Sequence, residues 1–99
     1  MSHEVINRLL LACELFLVPL RAGDGFDDAE FERLCTALQT CVEVWKSADS
    51  IPKSLANVLV DLWPGIQSAA YPYDAQEAAK INKAADIVGD LTRQICSVG

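Results

Sequence analysis

Five carboxylates crowded between Asp24 and Glu32, four cysteines and a single histidine are the groups in this chain with chemistry to offer. The carboxylates are Asp24, Asp27, Asp28, Glu30 and Glu32, within the segment GDGFDDAEFE. A calcium loop ends in a similar run, but the register fails. With Asp24-Gly25 at the turn, Phe31 falls where a bidentate glutamate must sit. Placing Glu30 or Glu32 there instead sets Pro19 or Arg21 at the first ligand position. Two other roles remain. Asp27 to Glu30 reads as a capping box with Asp in place of Ser, so most of these acids start a helix. Together the five also make an acidic surface suited to a basic protein partner.

Cys13, Cys35, Cys41 and Cys96 follow no C-x-x-C or zinc-ribbon spacing. The only histidine, His3, stands apart at the terminus, so no metal site is expected. Each cysteine lies on or beside an apolar helical face, where a free thiol behaves as a small hydrophobe. An even count also leaves one or two disulfides open. Catalysis needs convergent polar groups. Here no nucleophile has an evident base, and no Glu-x-x-His pair of a di-iron bundle occurs. There is no phosphate loop, dinucleotide fingerprint or zinc signature. Glu14, flanked by apolar residues, is the nearest candidate carboxylate. Its helical position groups it with Asn7 and Arg21 on an exposed edge. The expectation is a non-enzymatic protein without a cofactor.

Charge narrows the partners. The 99 residues carry a formal charge of -6, and the eight basic residues are scattered, with no two adjacent. Nucleic acid and anionic membranes are recognised through clustered Lys and Arg, so neither is an expected partner. Leu10-Leu11-Ala12-Cys13 has the look of a lipobox, but almost no hydrophobic segment precedes it. Leu9 to Leu20 contains Glu14 and falls short of the ~20 residues a span requires. With thiols read as reduced, the cytoplasm is the expected compartment.

These groups must be positioned by helices, because the apolar residues recur at helical spacing throughout. A hydrophobic content of 52% is ample for a core. Residues 1–99 read as a single helical domain with helices at about 3–21, 27–48, 51–70 and 74–96. Ser2 is the N-cap candidate for the first. Its main stripe is Val5, Ile6, Leu9, Ala12, Cys13, Phe16 and Leu20, and Leu11, Leu15 and Val18 form a second stripe. A helix apolar on so many sides is buried all round or lies at a subunit interface. Pro19 kinks or ends it, and Gly23 supplies a left-handed cap. The second helix carries an apolar arc of roughly 180°, from Phe31, Leu34, Cys35, Leu38, Val42 and Trp45 across to Ala37, Cys41, Val44 and Ala48, which calls for at least two neighbours. Ser50 is the expected cap of the third helix, with Pro52 in its first turn. Its stripe stays in phase through Trp63-Pro64-Gly65, so one kinked helix is expected. Asp74 caps the fourth, whose inner face is rich in Ala. Gly89 falls on its outer side. Short loops favour antiparallel neighbours, and the predicted fold is an all-α, up-down-up-down four-helix bundle.

Asp49-Ser50-Ile51 resembles the Asp-Ser-Leu/Ile motif of acyl carrier proteins, which are small, acidic four-helix domains. Pro72-Tyr73-Asp74 followed by Lys80-Ile81 is similar to the stretch opening their last helix. The resemblance implies phosphopantetheine attachment at Ser50. Small acidic bundles also serve as immunity proteins of bacterial toxins, and Asp27 to Phe31 is similar in style to their acidic face. The reading adopted is a bundle that works by protein–protein interaction: a homodimer, a subunit with an acidic surface for a basic partner, or both. A carrier modified at Ser50 is the first alternative. The second is a small-ligand bundle with Trp45, Trp63 and Tyr71 lining a pocket.

Overall fold

A computed structural model describes residues 2–97, apart from the side chain of Ser2. The cap expected from Ser2 thus lies outside the described residues. The chain forms α1 (Ser2–Arg21), α2 (Asp28–Trp45), α3 (Lys53–Ala69) and α4 (Ala75–Ile95), with no strand among the described residues.

The helix boundaries follow local chemistry. α1 runs through Pro19 and stops two residues later. Its end is a Schellman motif: Asp24 N donates to Pro19 O at 2.9 Å and Gly23 N to Leu20 O at 3.2 Å. Gly23 has φ +83°, a left-handed conformation that a side chain would oppose. Asp27 and Asp74 cap α2 and α4, their Oδ1 atoms accepting from Glu30 N at 3.1 Å and Glu77 N at 2.8 Å. Around Asp27 only this half of the capping box forms, because the Glu30 carboxylate turns to Arg33.

Three expectations need correction. Ser50 does not cap α3. The N-cap position belongs to Pro52, in extended backbone, whose carbonyl accepts from Leu55 N and Ala56 N. Proline pre-sets the entry angle without a side-chain acceptor, and Ser50 is left two residues outside. α2 ends at Trp45, so Ala48 is exposed in the linker and Val44 is 46% exposed. The buried arc of α2 is narrower than its apolar arc. Gly89 is buried rather than outward, because the Trp63 indole lies across it. A Cβ there would sit 3.3 Å from Trp63 Cδ1. α3, by contrast, continues through Pro64 as one helix.

Sequence-adjacent helices run antiparallel, up-down-up-down. α1 touches α2 and α3, and α4 touches the same two, so the order around the bundle is α1–α2–α4–α3. Lys80 near the start of α4 reaches Asp28 at the start of α2. At the opposite end, Ile51 and Ile95 share a cavity wall. The α2–α3 linker therefore crosses that end diagonally. The core gathers Leu9, Phe16 and Leu20 of α1, Leu34 and Leu38 of α2, Leu55 and Ile66 of α3, and Ile81 and Val88 of α4, all at 0–1% exposure. At 20–30 cal/mol per Å² of apolar surface, burial of this kind is the main stabilising contribution.

The end where α1 meets α2 is clasped twice. Phe16, Phe26 and Phe31 form a triangle with centroids 5.2 to 5.4 Å apart, and Lys80 Nζ stands 4.8 Å over the Phe26 ring. Beside it, Tyr73 Oη donates to Leu20 O at 2.6 Å and accepts from Gly25 N at 3.0 Å. One hydroxyl thus ties the turn before α4 to the end of α1 and to the turn that follows it. Tyr73→Phe leaves both backbone groups without this partner in a half-buried site. We expect a loss of ~1–3 kcal/mol in urea unfolding at unchanged helicity. A change below a few tenths of a kcal/mol would show that the clasp contributes nothing.

Candidate functional site

α1 carries two apolar seams on opposite sides. At 100° per residue, Ile6, Leu9, Cys13, Phe16 and Leu20 point one way, and all are buried. Leu11, Leu15 and Val18 point the other way, with exposures of 57%, 46% and 62%. Ala22, also exposed, continues this outer line. The steps of four, three and four residues are those of a coiled-coil a/d seam. Among the described residues no other element covers it. Glu14 and Arg21 flank the seam on one side, both exposed and neither in an ion pair among the described residues.

On its other side the seam borders a groove between α1 and α2 of about 260 Å³. Its floor is Ala12 and Ala37, whose small side chains leave the hollow. Leu11 and Leu15 wall it on the α1 side, and Arg8 and Arg33 stand at the rim. The surface is apolar and open.

The acidic segment is partly committed to the fold. Asp27 is used as the α2 cap, Asp28 pairs with Lys80 at 3.2 Å, and Glu30 pairs with Arg33. Asp24 and Glu32 remain exposed and outside any ion pair among the described residues. The five acids thus share one end of the bundle, but three of them already have partners. The sequence shows these acids both as helix-start residues and as a surface; the Asp27 cap and the Glu30–Arg33 pair are local, and only the Asp28–Lys80 pair depends on α4 lying beside α2.

The other candidate residues do not converge. Trp45 is buried in the last turn of α2, Trp63 lies against Gly89, and Tyr71 is 94% exposed. They line no common pocket, because three separate environments claim them. Ser50 is exposed in the linker, beside a hollow of about 140 Å³ shared with Ile95 and Cys96. Among the described residues no cluster of three or more His, Cys, Asp or Glu is arranged to hold a metal, and no helix is long and apolar enough to cross a membrane.

All four cysteines are free thiols. Burial pushes Cys13 up to about 12, with smaller contributions from Cys41 and Glu14. Burial alone raises Cys41 to about 11, and burial with nearby Glu32 raises Cys35. Because the thiolate is the nucleophile, these three are poor ones, and Cys96 is the exposed thiol. In a timed maleimide or Ellman reaction at neutral pH, Cys96 is expected to react first and Cys35 more slowly. Cys13 and Cys41 should wait for denaturant. Rapid labelling of Cys13 in the folded protein would contradict this packing.

The chain matches no protein-family model, and neither the curated proteins nor the solved structures contain one significantly similar to it.

Proposed function

We propose that this protein is a non-enzymatic helical bundle that works by protein–protein interaction, with the outer face of α1 as its principal contact surface. The observation that carries the reading is the exposed seam of Leu11, Leu15 and Val18. Three large apolar side chains in one line, each about half exposed or more, are costly to leave in water. At ~25 cal/mol per Å², covering them favours association. Isolated surface apolar residues need no explanation, but a continuous stripe bordering a groove does.

Self-association is the simplest use of such a face, because a two-fold contact needs one patch only. An acidic surface for a basic partner is a second component of the proposal, supported by Asp24 and Glu32, which lie outside any ion pair among the described residues. The charge of -6 at neutral pH would favour that encounter electrostatically. The proposed compartment is the cytoplasm, in keeping with four free thiols. Attachment of a carrier arm at Ser50 has less in its favour. The serine is exposed, but the continuous α2 helix closes within five residues of it.

Sedimentation equilibrium across micromolar to millimolar protein tests the association. The expected result is a concentration-dependent dimer that Val18→Glu shifts to monomer, with far-UV circular dichroism unchanged because Val18 is on the surface. A wild-type monomer across the whole range would remove self-association. Intact mass of the protein from its native host would reveal an arm on Ser50, and the unmodified mass is expected.

A further inference from the structure

We infer that the second copy lies antiparallel along α1 in one particular register, centred between Leu15 and Val18 and held in place by reciprocal Glu14–Arg21 pairs. The inference rests on the proposed self-association and specifies its geometry. In an antiparallel helix pair an a position of one helix meets a d position of the other, and flanking g positions face each other. Taking Leu15 and Ala22 as a, and Leu11 and Val18 as d, makes Glu14 and Arg21 the g positions.

Few registers keep a opposite d. With Leu15 against Val18 of the copy, Leu11 meets Ala22, and symmetry supplies the same two layers again. All four layers are apolar. In this register Glu14 stands opposite Arg21 of the copy at both ends of the contact. The other flank sets Ala12 against Pro19, with no charge to bury. Arg8 comes level with the Ala22–Asp24 turn of the copy, where Asp24 is exposed.

The register one heptad closer to the start of the helix is worse on each count. It puts Leu11 against Leu15, but Arg8 falls against Val18 and Glu14 faces Glu14. Like charges in that position are unfavourable. Neither Glu14 nor Arg21 has an ion-pair partner among the described residues. Seven residues apart on one helix, they lie ~10 Å from each other along its axis, too far for a direct pair.

The groove beside Leu11 and Leu15 lies at the margin of the contact, open to side chains from the copy.

Charge exchange tests the register, read by sedimentation equilibrium of the full chain at low salt. Glu14→Arg and Arg21→Glu each place like charges opposite one another twice. Each is expected to weaken the dimer about ten-fold. The double exchange should restore it to within about three-fold of wild type, and salt should shrink the differences. A second measurement avoids any dependence on charge. In a Cys96→Ser background, Glu14→Cys protein mixed with Arg21→Cys protein should form a heterodimeric disulfide under mild oxidation. Glu14→Cys alone should form little. A double exchange no better than the singles, or efficient linking of Glu14→Cys to itself, would overturn this register. If Val18→Glu nevertheless dissociates the dimer, the broader proposal survives that result. If the wild type is monomeric, both fall.

Discussion

The Tyr73 hydroxyl is the polar contact on which the closed end of this bundle depends. Among the described residues, the rest of what joins the α1–α2 hairpin to the α3–α4 hairpin is apolar packing and the exposed contacts of Lys80 with Asp28 and the Phe26 ring. Apolar packing is strong but weakly directional. The hydroxyl bridges residues 53 and 48 positions apart in the chain, and so fixes how the two hairpins are set against each other. Its geometry requires the Gly25 amide to face inward, and Gly25 has φ +102°. The Schellman end of α1 delivers the chain to that point. The Phe16, Phe26 and Phe31 triangle begins one residue beyond Gly25. Lys80 belongs to both arrangements, over the Phe26 ring and beside Asp28.

Much of this fold was legible in residues alone because its determinants are local. Asp27, Asp74 and Gly23 act through backbone groups within five residues of themselves. The stripes of α3 and α4 are single and clean, so periodicity assigns their inner faces directly. Two features were illegible because they arise between elements. Gly89 looked outward on the wheel of α4, yet Trp63 reaches over from α3 to bury it. The start of α3 was assigned to Ser50 by side-chain capping preference. The rigid φ of Pro52 won instead, and it needs no cap.

The candidate surface was half legible. Leu11, Leu15 and Val18 stand out as a second stripe, but periodicity cannot say which of two opposite stripes a bundle will bury. That choice is made by the neighbours. α2 and α3 flank the line of Leu9, Phe16 and Leu20, which offers the larger and more continuous side chains. The acidic segment shows the reverse problem. Its residues were visible as a cluster, but Asp28 and Glu30 acquire partners only when α4 and the next turn of α2 come into place.

The diagonal path of the α2–α3 linker has a consequence for assembly. α2 and α3 sit diagonally across the bundle, so the chain consists of two helical hairpins that pack mainly along α1 with α3 and α2 with α4. Each hairpin is built from contacts close in sequence, which form quickly. Their docking is the slow, non-local event, and the linker is its hinge. A hairpin from another molecule presents the same complementary faces. Shortening that hinge would therefore favour exchange of hairpins between chains over closure within one.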